Sequence, residues 1–101
     1  MFVVTNRMIV APENAEAFER TFSSSMRENL AGVAGLSRAT LLRPEADGLL
    51  YVSMMEFDSK DDFLAWMRSD SFRASHANTD RNRLATQSAI EQHTLIEAVP
   101  A

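Results

Sequence analysis

Strict alternation of apolar and polar side chains along the first ten residues predicts a β-strand. The positions that share a face with Phe2 are Val4, Asn6, Met8 and Val10, and all of them except Asn6 are apolar. A repeat of two residues is that of a strand with one face in the core. Asn6 is therefore a polar amide among apolar neighbours, and its burial costs free energy unless it finds hydrogen-bond partners.

An apolar repeat of three or four residues predicts the first helix. The breaker segment 11–14 precedes it, with Asn14 as the candidate N-cap and Glu16 favourably placed in the first turn. Gly32 and Gly35 are expected to end the helix. The stripe that would face the core consists of Ala15, Phe18, Phe22, Met26 and Leu30.

Two further strands and a second helix follow. Residues 36–42 and 49–57 have the pattern of strands, and the turn residues 44–48 between them predict a hairpin. Ser59 is expected to cap the second helix.

A second start within this helical stretch is predicted at residues 69–71. Trp66 and His76 are ten residues apart, and at about 100° per residue an unbroken helix would place them on different sides. A new turn from Ser71 would place Phe72 and His76 on one face. With that break, Trp66 and His76 can face the same space.

The element order indicates an α+β protein. Residues 77–88 are predicted to form a polar loop and residues 90–99 the last strand, so residues 1–101 form a single domain of order β-α-β-β-α-β. This is the ferredoxin-like order, with an antiparallel sheet and helices on one face. The other face carries apolar groups such as Val3 and Ile9 with no helix left to cover them, which predicts a homodimer through that face.

Composition narrows the function classes. The chain has 101 residues, no cysteine and a net charge of −4. Disulfides, zinc–thiolate sites, iron–sulfur clusters and thiol nucleophiles are excluded, and a nucleic-acid partner is disfavoured because phosphate binding needs clustered positive charge. No apolar run approaches the ~20 residues that cross a bilayer, and residues 1–6 lack the features of a signal peptide. We therefore expect a cytoplasmic protein with no membrane partner.

The candidate chemistry centres on three residues. His76 and Asp80 are spaced for one helix face, but two ligands make no closed metal site, and the chain lacks both a G-x-S-x-G elbow and a phosphate-cradling glycine loop. Asn6, Trp66 and His76 could all face the cleft between helices and sheet. Each also has a purely structural interpretation: an amide that satisfies a strand irregularity, a core tryptophan and a histidine at a helix C-terminus.

Those residues carry a family resemblance. The segments 63–66 (FLAW) and 69–76 (SDSFRASH), preceded by Asn6-Arg7 in the first strand, resemble the haem-degrading monooxygenases of the IsdG type, within the antibiotic biosynthesis monooxygenase (ABM) superfamily. The resemblance covers most of the chain. It implies a dimeric α/β barrel with one haem pocket per subunit. Haem would be both cofactor and substrate, and dioxygen and an external electron donor or reductase would be needed to open the tetrapyrrole and release iron.

The resemblance also implies residue roles. His76 would be the axial ligand of the haem iron, Asn6 would donate a hydrogen bond to oxygen on the distal side, and Trp66 would press on the macrocycle. The further candidate contacts to haem are Phe22, Met26, Phe72 and Arg73, with Arg81 and Arg83 as other possible propionate partners.

Two alternatives stay open at this point. In a cofactor-free oxygenase of the same superfamily, Asn6 and Trp66 would position an aromatic substrate and His76 would act as acid or base. In a non-enzymatic dimeric module the same cleft would bind a small ligand without chemistry, since one fold hosts many functions.

Overall fold

The computed structural model describes residues 1–76 and 84–101, and these form one antiparallel sheet covered on one face by helices. The strands are β1 (Phe2–Ile9), β2 (Leu36–Leu42), β3 (Tyr51–Phe57) and β4 (Thr86–Thr94). The helices among these residues are α1 (Ala15–Asn29), α2 (Lys60–Met67) and α3 (Asp70–Ser75), with a 3-10 turn at Pro12–Asn14. The strands follow the spatial order β2-β3-β1-β4, which is the ferredoxin-like arrangement. The predicted fold class is therefore confirmed.

The core forms two clusters beneath the helices. One cluster contains Phe2 and Val4 of β1, and the other contains Met8 of the same strand. Asn6 lies between them on the same face, because side chains alternate along a strand. The break between the two apolar clusters is therefore at the one polar position of this strand face. The other buried members are Phe57, Phe63 and Trp66 in the first cluster and Phe18, Phe22 and Tyr51 in the second.

Helix α1 begins where predicted, but not by the predicted contact. Asn14 occupies the N-cap position, yet its side chain makes no capping hydrogen bond. The preceding 3-10 turn supplies a backbone bond instead, from the Asn14 N–H to the Ala11 carbonyl at 2.9 Å. After the helix, Gly35 has a φ of +78°, and a Cβ there would come within 2.3 Å of Asp62 Cγ. This position therefore requires glycine for both conformation and space.

Two serine caps divide the second helical stretch. Ser59 Oγ accepts from the Asp62 N–H at 3.2 Å, and Ser69 Oγ accepts from the Phe72 N–H at 3.2 Å. The Ser69 hydroxyl also donates to the Trp66 carbonyl at 2.5 Å. The second cap starts α3 in a new direction directly after α2, as the sequence predicts.

The predicted bounds of two strands are wrong. The last strand begins at Thr86 and ends at Thr94, whereas the sequence pattern predicts residues 90–99. Thr94 pairs with Phe2 at the start of β1. Residues 95–99 are apolar enough to suggest a strand, but β1 has no further residues with which they could pair. Residues 86–88 thus belong to β4 rather than to the predicted loop, and residues 77–83 of that loop lie outside the described residues. Strand β3 begins at Tyr51, because a turn bond from the Leu49 N–H to the Ala46 carbonyl occupies residue 49.

The face of the sheet away from the helices mixes charge and apolar surface. Arg7 pairs with Glu91 at 2.9 Å and Arg38 pairs with Glu56 at 2.6 Å. Ile9 is 52% exposed on this face. The buried hydroxyls of two more residues there have no hydrogen-bond partner within the described ranges, Thr5 and Thr40. In the part of the chain that is described, no helix has the length and apolar character to span a membrane.

Candidate functional site

A cavity of about 380 Å³ lies between the sheet and the helices. Its volume is in the range of small-molecule sites, which are mostly apolar with a few placed polar groups. The residues predicted for the site that line it are Asn6, Phe22, Met26, Trp66, Phe72 and His76. Arg73 does not line it, and its guanidinium instead pairs with Asp70 at the surface. Arg81 and Arg83 lie outside the described residues.

Asn6 lines this cavity and carries a buried amide oxygen. It lies on the central strand, where it pairs with Ser53 of β3 and Ile90 of β4. Its Oδ1 is buried and has no hydrogen-bond partner among the residues described. A buried polar atom left unpaired costs about 1–3 kcal/mol. Because the two ends of an amide exchange by a flip, the side chain can present either a carbonyl or an NH₂ group to a ligand.

His76 is held through one ring nitrogen, and no hydrogen bond from another described residue occupies the other. It is the C-cap residue of α3, and its Nδ1 lies 2.9 Å from the Phe72 carbonyl oxygen. A carbonyl can only accept, so Nδ1 carries the proton and donates. In the neutral ring Nε2 is then unprotonated, and the same bond orients metal-binding histidines. The Phe72 ring packs on the imidazole with centroids 4.2 Å apart, which fixes the plane of the ring.

Trp66 joins the first core cluster to the cavity wall. It is 7% exposed, with its ring centroid 5.0 Å from Phe72 in an edge contact and 6.3 Å from His76. Its indole Nε1 donates to Ser71 Oγ at 3.1 Å. The sequence pattern marks Ser71 as the start of a new helical turn but not as a site residue. Its hydroxyl, directly after the predicted helix break, was the one signal available for that role.

Several other polar lining residues were also missed. Ser53 could have been found from the strand register, because it stands opposite Asn6. Ser25 and Ser75 are small hydroxyls on the inward faces of α1 and α3. Gln92 lines the cavity from β4, where it stands opposite Val4.

The cavity carries no full charge on its described lining. Nor do the described residues contain any group of three His, Asp or Glu that could hold a metal ion. Among the described lining residues, the His76 imidazole is therefore the one nitrogen side chain of the kind that binds metals.

The most strongly perturbed carboxylate is outside the cavity lining. Glu19 of α1 accepts two hydrogen bonds from Arg43, at 2.8 and 2.6 Å, and one from the Tyr51 hydroxyl. The Arg43 hydrogen bond is the largest cause that lowers the pKa of Glu19 from 4.5 to about 2. Burial is the main cause that raises the pKa of Tyr51. The cluster ties α1 to the sheet beside the cavity.

Comparison with known proteins extends this picture. Residues 1–78 match the model of the antibiotic biosynthesis monooxygenase family. A heme oxygenase (staphylobilin-producing) from Staphylococcus haemolyticus is 33% identical over 82 residues, which cover 80% of this chain and 78% of that protein.

Solved structures agree in fold. The heme-degrader MhuD from Mycobacterium tuberculosis, with two hemes bound in its active site, has a TM-score of 0.82 at 21% identity, over 99% of this chain and 100% of that one. A variant of SnoaB, a cofactor-independent oxygenase from Streptomyces nogalater, has a TM-score of 0.78 at 25% identity, over 99% and 97% of the two chains. The region matched by the family model takes in β1 to β3, the helices α1 to α3 and the cavity residues Asn6, Trp66 and His76. The chain belongs to the antibiotic biosynthesis monooxygenase family.

Proposed function

We propose that this protein is a haem-degrading monooxygenase that binds haem in the cavity and opens the tetrapyrrole with dioxygen and an external electron donor, releasing iron. The observation that carries the proposal is that the His76 imidazole, oriented through Nδ1, and the Asn6 amide, whose Oδ1 has no partner among the described residues, line one mostly apolar cavity. The relative from Staphylococcus haemolyticus, a heme oxygenase, supports it.

The residues present fit haem. His76 offers a single neutral nitrogen ligand, and a porphyrin supplies the other four nitrogens of its iron. The apolar lining suits a flat aromatic ligand, with the edges of Phe72 and Trp66 beside the imidazole. Bound haem would supply the iron at which dioxygen is activated and the carbon framework that is oxidised.

The remaining site residues have distinct tasks in this proposal. Asn6 would donate a hydrogen bond from its NH₂ group to oxygen held beside the macrocycle. Trp66 would form the wall against which the macrocycle rests. Phe22 and Met26 would pack on the ligand from α1, and Arg73 is the candidate propionate partner at the mouth, after release from Asp70.

Dimerisation is part of the proposal. The face of the sheet away from the helices has Ile9 exposed. A second copy on this face would cover the apolar surface, giving a twofold α/β barrel. We also propose a cytoplasmic location. A separate reductase would be the electron donor, because the described residues offer no second redox group.

A haem titration with matched histidine variants tests the function. The chain has two histidines, and His93 lies on β4 opposite Val3, on the sheet face away from the cavity. We expect a Soret shift that saturates at one haem per chain in the native protein and in His93→Ala, and that is lost in His76→Ala. Asn6→Ala should still bind haem but should lose most ascorbate-driven bleaching under air. Weak, unsaturating absorbance of equal size in the native protein and both histidine variants would overturn the proposal.

The cofactor-free alternative is favoured by the likeness to SnoaB. In that case Nε2 of His76 would accept a proton from an electron-rich aromatic substrate. Oxygen uptake with such a substrate in haem-free protein, lost in His76→Ala, would identify this activity.

A further inference from the structure

We propose that Ser71 is a positioning residue, whose hydroxyl sets the orientation of the Trp66 indole at the cavity wall. The hydroxyl accepts from Trp66 Nε1 at 3.1 Å and donates to the carbonyl of Asn29 at the end of α1. The geometric part of this inference stands on its own, and its consequence for product formation rests on the proposed function.

Chemistry fixes the direction of both hydrogen bonds. An indole N–H can only donate and a carbonyl oxygen can only accept. The Ser71 proton must therefore point to Asn29, and an oxygen lone pair must face Trp66. A side chain at position 71 that lacks either a donor or an acceptor cannot make this link.

Both groups that bond to the Ser71 hydroxyl would otherwise lack a hydrogen-bond partner. Asn29 is the last residue of α1, and its carbonyl is among those left without an intrahelical donor at a helix C-terminus. Trp66 is almost fully buried, so its N–H would be unsatisfied without Ser71. The two hydrogen bonds thus connect α2 to α1 through one atom of α3.

The indole also packs against aromatic rings, among them Phe57 and Phe63 with centroids 6.0 and 6.3 Å away. Apolar packing is non-directional. The Ser71 bond is directional, since hydrogen bonds weaken steeply away from linearity.

Ser71 itself is held in place by the cap of α3. The Ser75 hydroxyl donates to the Ser71 carbonyl at 2.8 Å, and the Ser69 cap bonds the Phe72 N–H. Because α3 also ends in His76, the same six-residue helix positions the imidazole and, through Ser71, the indole. In a haem-degrading enzyme the tilt of Trp66 would then decide where the macrocycle is bent, and so which bridging carbon is oxidised.

The test uses Trp66 as its own probe. It is the one tryptophan in the chain, so the tryptophan band in near-ultraviolet circular dichroism of the haem-free protein reports on this ring alone. Ser71→Ala should lose most of that band with no change in the far-ultraviolet spectrum, whereas Ser71→Thr, which retains the hydroxyl, should keep it. Ser37→Ala is the matched control, because Ser37 Oγ donates to exposed Asp58 at 3.1 Å, away from the cavity lining.

Haem-loaded protein gives the second readout. The ratio of tetrapyrrole isomers should shift in Ser71→Ala and stay native in Ser71→Thr and Ser37→Ala. An unchanged near-ultraviolet band together with an unchanged isomer ratio in Ser71→Ala would overturn the inference. If no variant takes up haem, the proposed function fails while the dichroism still decides the role of Ser71.

A double-mutant cycle covers the case in which Ser71→Ala folds poorly. In the Trp66→Phe background the indole donor is absent, so loss of the Ser71 hydroxyl should shift the urea midpoint less than in the native background. Equal shifts in the two backgrounds would show that Ser71 acts independently of Trp66.

Discussion

Acid is expected to destabilise this protein through Glu19. Its carboxylate binds Arg43 and the Tyr51 hydroxyl, and these bonds lower its pKa from 4.5 to about 2 in the folded state. Because the folded pKa lies below the unfolded one, the ionised carboxylate stabilises the fold above pH of about 4.5. That stabilisation is lost progressively as the pH falls toward 2.

The size of the effect follows from the shift and the exposure of the pair. A pKa lowered this far corresponds to about 3 kcal/mol, at about 1.4 kcal/mol per pH unit. The Glu19 side chain is 26% exposed, but that of Arg43 is 69% exposed, so water screens the interaction. We therefore expect about 1–2 kcal/mol in the free energy of unfolding at neutral pH.

Urea denaturation as a function of pH measures this contribution. Glu19→Gln should be less stable than the native protein at neutral pH, and the two should converge as the pH falls below about 2, where the Glu19 carboxyl is also protonated in the folded protein. Glu16→Gln is the matched control, because its carboxylate lies 3.6 Å from Arg20 on the same helix and is 93% exposed. If Glu19→Gln and Glu16→Gln have the same stability at every pH, the reasoning is refuted.

Two further predictions concern the fold that supports the site. Gly35→Ala should lower the thermal midpoint more than Gly32→Ala. Both glycines have positive φ, near +77°, but only at position 35 would the added Cβ meet Asp62. Equal decreases in the thermal midpoint would contradict this explanation. Phe18→Ala should cost about 3–5 kcal/mol in urea denaturation, since the ring is fully buried against Phe22 and Tyr51, and a loss below about 1 kcal/mol would mean that the core collapses around the gap.

Local chemistry in the sequence predicts most of this fold. The alternation in β1, the stripe on α1 and the caps at Ser59 and Ser69 each act within a few residues, so their signals can be read without the structure. The break at Ser69 was also enough to predict that Trp66 and His76 face one space. The ends of β4 could not be predicted in this way, because the length of β1 decides where pairing stops.

The finer features of the site depend on contacts distant in sequence. The hydrogen bond from Ser71 to Asn29 joins residues 42 positions apart. Glu19 meets Tyr51 across 32 positions. Neither pair has a sequence signal of its own, because polar residues at such separations are brought together only by the packing of α1 against the rest of the fold. The family resemblance supplied the roles of Asn6, Trp66 and His76, which remain predictions for this chain.

The two sides of the cavity differ in how freely evolution can alter them. Asn6 belongs to a strand that is paired on both sides, so a substitution that shifts its backbone would disturb two neighbouring strands. Trp66 belongs to a helix of eight residues and His76 is the C-cap of one of six, and each helix is started by its own serine cap. Mutations in these short helices can reshape the cavity while the sheet stays intact. Divergence of substrate among proteins of this fold is therefore expected to begin in the helical segment 60–76, and chimeras that exchange this segment alone would test how far it determines the preferred substrate.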